Sequence, residues 1–78
     1  MKVELPEAVR ASGLRRADLV DPARQETALT RYFTELIVRE LPLGPTLAPA
    51  DLEYLAGWMA RDPVLREKAL QYLERILD

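Results

Sequence analysis

Neither cysteine nor histidine occurs among the 78 residues of this chain. Their absence excludes disulfide bonds and removes the usual ligands of zinc and iron–sulfur sites. It also removes the commonest general base and the thiol nucleophile of enzymes. The glycines are isolated, so no glycine-rich phosphate loop is present. We therefore expect a protein that is not an enzyme, with no catalytic residue, no bound metal and no cofactor.

Strong charge of one sign is also missing. Thirteen acidic and 11 basic residues give a formal net charge of −2, which is not the basic balance that neutralises a phosphate backbone. No apolar run approaches the roughly 18 residues of a membrane span, and the first residues lack the apolar segment of a signal peptide. We expect a cytoplasmic protein that contacts no membrane, and we do not expect nucleic acid as its partner.

The chain is short, and residues 1–78 predict one helical domain. A chain of this length buries only about 60% of the surface that it exposes when unfolded. No disulfide is available to supplement such a thin core. Association completes many cores of this size, so we expect a protein partner or a homo-oligomer.

Two helix starts are marked by the same pattern, Asp-Pro-x-x-x-Glu-x-Ala-Leu, at residues 21–29 and 62–70. Each Asp can accept hydrogen bonds from unpaired backbone N–H groups in the first turn. Each Pro occupies the first helical position, where its missing N–H costs nothing. Pro42 ends the first of these helices at Leu41, and Pro49 begins another.

The fold predicted from these signals is all-α. We expect a small three- to four-helix bundle with a short N-terminal helix that ends near Gly13, followed by helices over residues 22–41, 49–61 and 63–77. Residues 14–20 predict a turn or one further helical turn. Alternating apolar and polar residues at the N-terminus also allow a very short strand at residues 2–5.

The helix over residues 49–61 has apolar residues on two faces. With Leu52 placed at 0° on a helical wheel, the predicted inner residues lie within about 60°, whereas Tyr54 and Trp58 fall near 200° and 240°, beside Arg61. Tyr, Trp and Arg dominate interface hot spots. Either another helix of the same chain covers this second face, or a partner or a second copy does.

The last helix has an apolar stripe about 160° wide, which exceeds the roughly 100° that one neighbouring helix needs. Leu70 and Leu77 flank this stripe, and we expect them at an interface together with Tyr54, Trp58 and Arg61. The N-terminal third has the one basic cluster of the sequence. Acidic residues are interleaved with it, which favours a solvated surface over a phosphate-binding one; its members are Arg10, Arg15, Arg16 and Arg24.

Two functional hypotheses follow. The first is a helical protein–protein interaction module or small accessory subunit that docks a partner or itself. The second is a DNA-binding antitoxin or repressor of ribbon–helix–helix layout, which residues 1–41 loosely resemble through a short strand followed by helices, with residues 42–78 as a partner-binding half. In that layout Glu4 would face the DNA groove beside phosphates, so we place the interaction module first.

Overall fold

The computed structural model describes residues 5–77, which form five α-helices and one short 3-10 turn. The predicted all-α fold is confirmed. Residues 2–4 of the predicted strand lie outside the described residues, and Leu5 has no regular secondary structure. The helices are α1 (Glu7–Ser12), α2 (Arg16–Val20), α3 (Pro22–Glu40), α4 (Pro49–Arg61) and α5 (Pro63–Ile76), with the 3-10 turn (Gly44–Thr46) between α3 and α4.

Both predicted Asp-Pro helix starts are confirmed. The Asp21 carboxylate accepts a hydrogen bond of 3.0 Å from the backbone N–H of Ala23 at the start of α3. The Asp62 carboxylate accepts one of 3.0 Å from the N–H of Leu65 at the start of α5. Each cap satisfies a donor that would otherwise have no partner within its helix.

The segment between α1 and α3 forms a helix of five residues, α2. At its start the Asp18 carboxylate accepts a hydrogen bond of 3.1 Å from the backbone N–H of Arg15. Near its end the side-chain amide of Gln25, on α3, donates one of 2.8 Å to the carbonyl of Leu19. A side chain from the next helix therefore helps to hold this short helix in place.

The hydrophobic core is arranged around α3, which contacts α1, α2, the 3-10 turn and α4. The apolar side of α3 faces this core, with Leu29 and Ile37 fully enclosed. The opposite side is polar, and Arg39 donates a hydrogen bond of 3.0 Å to Glu35 one turn earlier. The buried residues of α3 are Ala28, Leu29, Tyr32, Phe33 and Ile37.

The connector after α3 folds back onto that helix, with its 3-10 turn in contact with α3. Gly44 is buried against the end of α3, where a Cβ atom would overlap the backbone carbonyl of Ile37. Leu47 packs against the core, whereas Leu43 is 72% exposed. Only glycine permits this close approach of the two backbone segments.

Helix α5 contacts α4 and α2, and polar side chains connect it to the first half of the chain. The Arg16 guanidinium donates a hydrogen bond of 3.1 Å to the backbone carbonyl of Leu77. Arg66, on α5, donates one to the side-chain oxygen of Gln25. Leu77 is thus held to α2, and the first half of α5 is held to the start of α3.

The cap at the start of α5 provides a test of the fold. Replacing Asp62 with Ala removes the carboxylate acceptor, and we expect the free energy of unfolding to fall by about 1 kcal/mol. Denaturant-induced unfolding followed by circular dichroism measures this change. Asp62→Asn keeps an oxygen acceptor and is the matched control, for which we expect a smaller loss. Equal stability of the parent and the Ala variant would contradict a stabilising cap.

Tyr32 is the buried phenol of the core, beside Phe33 at a ring-centroid distance of 5.4 Å. Burial raises the pKa of its hydroxyl above the usual value of 10.0, and the nearby Tyr72 and Glu40 raise that pKa further. The folded protein therefore resists ionisation of Tyr32 more than the unfolded chain does.

A dependence of stability on alkaline pH follows. Because the folded-state pKa of Tyr32 is raised, its contribution to stability is complete below the unfolded-state pKa of about 10 and is lost as pH rises towards the folded-state value. We expect Tyr32→Phe to gain stability relative to the parent as pH rises above about 10. Unfolding free energies of both proteins at several pH values test this. A parallel decline in the two proteins would contradict the argument.

Candidate functional site

Helix α4 packs against α3 through small side chains. Ala56 and Ala60 are completely buried, and their size permits the two helix axes to approach closely. The larger residues Leu52, Leu55 and Met59 are partly buried against the same core. Since α4 also contacts α5, its two flanks are occupied, and the side turned away from the core remains open.

Tyr54 and Trp58 lie one turn apart on this open side, with 73% and 50% of their surfaces exposed. The interpretation in which another helix of the same chain covers them is therefore wrong for the described residues. Large apolar rings in water are unfavourable unless they become covered. We call this surface the α4 outer face and define it by Ala50, Asp51, Tyr54, Trp58 and Arg61, all of which are exposed.

Arg61 closes the C-terminal end of the α4 outer face. Its guanidinium lies 3.8 Å from the Glu26 carboxylate, but both side chains are more than half exposed. An ion pair in such contact with water contributes little to stability. The predicted neighbourhood of Tyr54, Trp58 and Arg61 on one side of α4 therefore exists, and its arginine is held only weakly by the chain itself.

A shallow groove runs beside Tyr54 between α3 and α4, with a volume of about 410 Å³. Its floor includes Gly57, which is buried although it faces no core side chain. The neighbour that a Cβ atom at Gly57 would contact is the flexible end of the Arg61 side chain, at 3.4 Å. The groove is lined by Thr30, Ala50, Glu53, Tyr54, Gly57 and Arg61.

The two leucines predicted at the flanks of α5 have different positions. Leu70 is partly buried and packs against the core. Leu77 is only 6% exposed and belongs to the core itself. Part of the wide apolar stripe therefore packs inside the protein. The Arg16 guanidinium donates a hydrogen bond to the Leu77 carbonyl and holds this residue against the core. The expectation that Leu77 lies at an interface does not fit its burial.

The N-terminal arginines are engaged with neighbours in the chain. Arg10 lies 3.7 Å from Glu7, Arg15 3.9 Å from Asp18 and Arg24 3.6 Å from Asp21. The fourth member of the cluster, Arg16, donates to the Leu77 carbonyl. Acidic residues thus neutralise much of the local charge, as the interleaved sequence predicts. Among residues 5–77, no group of carboxylates has the arrangement of a metal site.

Comparison with protein-family models, curated proteins and solved structures finds no match to this chain. Within the described part of the chain, no helix is long and apolar enough to cross a membrane. The α4 outer face is therefore interpreted from its own geometry and chemistry.

Gly57 lines the groove beside the α4 outer face and is not among the predicted site residues. A glycine in the interior of a helix of 13 residues is the signal that identifies it, because glycine is about 1 kcal/mol less favourable there than alanine. Gly44 and Gly13 have reasons within the chain: the first lies against the Ile37 carbonyl, and the second ends α1 with a φ of 67°. No such reason is found at Gly57 among the described residues.

Substitution of this glycine tests whether the fold needs it. We expect Gly57→Ala to raise the free energy of unfolding by about 0.5–1 kcal/mol, because alanine favours the helix and its methyl group meets only a flexible side chain. Denaturant unfolding at low protein concentration measures the change. Gly44→Ala is the matched control and should destabilise, since its methyl group would overlap backbone. Destabilisation by Gly57→Ala would show that the fold itself requires this glycine.

Proposed function

We propose that this chain is a non-enzymatic helical protein–protein interaction module, or a small accessory subunit, that docks a partner or a second copy through the α4 outer face. The observation that carries the proposal is the exposure of Tyr54 and Trp58 on adjacent turns, beside Arg61. These are the residue types that contribute most to binding energy at protein interfaces.

The size of the exposed aromatic surface supports this role. A fully buried Tyr or Trp removes about 150–250 Å² from water, so the exposed fractions of Tyr54 and Trp58 correspond to roughly 250 Å². At about 25 cal/mol per Å², covering this area contributes about 6 kcal/mol before the costs of association. Those costs are about 4–15 kcal/mol, so the aromatic pair can anchor an interface but needs neighbouring contacts.

The DNA-binding alternative has less support. Residues 7–40 form three helices, whereas the ribbon–helix–helix layout has two after its strand. Three of the four N-terminal arginines lie near carboxylates, which competes with binding to phosphates. We therefore retain a protein as the proposed partner.

A substitution at the centre of the face tests the module. We expect Trp58→Ala to abolish partner binding and to leave the helical circular-dichroism spectrum nearly unchanged, because half of this side chain lies outside the fold. Capture from an extract of the native host, with the immobilised full chain as bait, compares the parent with this variant. The informative readout is a protein retained by the parent and lost by the variant.

Leu43→Ala is the matched control, since it removes an apolar side chain that is also exposed, at 72%, from the connector. It should retain every protein that the parent retains. If Trp58→Ala and Leu43→Ala captured the same proteins, the α4 outer face would not be the docking surface. If Trp58→Ala unfolded the chain, Trp58 would be a structural residue and the proposal would fail.

A further inference from the structure

The α4 outer face is complementary, in shape and in charge, to the same face of a second copy. Tyr54 projects from the helix, and the groove beside it includes Gly57 and is lined by Tyr54 and Arg61 of the same copy. Asp51 lies near the N-terminal end of the face, and Arg61 lies at its C-terminal end. A projection and a hollow on one surface, with opposite charges at its two ends, are what a two-fold symmetric interface requires.

We propose that the occupant of the α4 outer face is a second copy of this chain, bound with its α4 antiparallel about a two-fold axis at the level of Ala56. This inference rests on the proposed function and names its partner. In this register each Tyr54 ring faces Gly57 and Trp58 of the other copy, because positions 54 and 58 are equally far from residue 56. Both copies make the same contact, so it is formed twice.

The charges select this orientation. Asp51 and Arg61 are each five residues from residue 56, which is about 7.5 Å along the helix axis. An antiparallel pair therefore brings Asp51 of one copy level with Arg61 of the other, at both ends of the interface. A parallel pair would place Asp51 beside Asp51 and Arg61 beside Arg61, which is unfavourable. The existing contact between Arg61 and Glu26 is exposed, so Arg61 can be redirected at little cost.

The proposed dimer explains why residue 57 is a glycine. Within one copy, nothing described lies against its Cβ position except the end of Arg61. When Arg61 turns towards Asp51 of the other copy, the hollow above Gly57 opens for the incoming Tyr54 ring. A methyl group at position 57 would occupy that space. The glycine thus lowers the stability of the single chain and permits close contact in the pair.

The expected affinity is low because the interface is small. One face of a 13-residue helix is about 20 Å long, and two such faces bury no more than about 1,000 Å² in total, near the lower limit of specific interfaces. We expect a dimer with a dissociation constant in the micromolar range. Sedimentation equilibrium of the full chain, at concentrations from about 1 μM to about 1 mM, covers this range.

The first measurement compares the parent with variants of the aromatic pair. We expect Tyr54→Ala and Trp58→Ala each to weaken the dimer at least about tenfold, and Leu43→Ala, exposed elsewhere, to leave it unchanged. A parent chain that stays monomeric at about 1 mM would overturn self-pairing. That result would leave the proposed function to be decided by the capture experiment, in which a different protein would depend on Trp58.

The second measurement tests the register by exchanging charges. Asp51→Arg and Arg61→Asp should each weaken their own dimer, because like charges then meet twice. An equimolar mixture of the two variants should recover dimer, since the two arginines of one variant then meet the two aspartates of the other. Circular dichroism verifies that each variant is folded. Failure of the mixture to recover, with both variants folded, would overturn the antiparallel register.

Gly57→Ala provides the third measurement, in which two properties should move in opposite directions. We expect the single chain to become more stable and the dimer to weaken about tenfold or more. A purely structural role for this position would not produce that combination. A Gly57→Ala dimer as tight as the parent dimer would overturn the packing of Tyr54 over Gly57.

Discussion

The packing of α4 on α3 determines which side of α4 faces outward. Ala56 and Ala60 are completely buried, and their small side chains permit the two helices to approach closely. The bulky aromatic residues of α4 cannot occupy that contact and therefore lie on the opposite side. On α4 the completely buried side chains are alanines and the two largest rings are exposed, which reverses the usual distribution. This reversal is the reason to interpret the outer side of α4 as a surface that another protein covers.

The helix starts could be predicted from the sequence because they depend on local chemistry. Asp21 and Asp62 cap their helices within three residues, and an adjacent proline marks each start. The sequence allows a turn or one further helical turn at residues 14–20. The structure forms the helical turn as α2, which is held in part by a hydrogen bond from Gln25 of the following helix. The burial of Leu77 depends on Arg16, 61 residues earlier in the chain, and helical periodicity has no information about such a contact.

The sequence predicts which residues share the outer side of α4, but it does not predict whether that side is exposed. The helical wheel places Tyr54 and Trp58 opposite the core-facing residues of α4, but it cannot decide whether another helix of the chain covers them. That depends on where α3 and α5 pack, and the structure leaves both rings exposed. The three glycines show the same limit of sequence reasoning. Gly13 adopts a positive φ, Gly44 lies against backbone, and Gly57 has neither reason. The structural roles of the three glycines differ because their surroundings differ, and the residue type alone does not distinguish these roles.

The single residue between α4 and α5 restricts how the chain can change in length. Asp62 ends α4 through a backbone hydrogen bond of 3.0 Å to Trp58 and also caps α5. Because the junction is one residue long, an inserted residue would rotate one helix against the other. Leu73 would then be separated from its neighbours in the core. Insertions are tolerated best where exposed chain makes few contacts. Gly44 on the connector lies against the backbone of α3, so the chain beside it is also a poor place for an insertion. The Leu43 side chain is 72% exposed and can carry a small label without disturbing the helices.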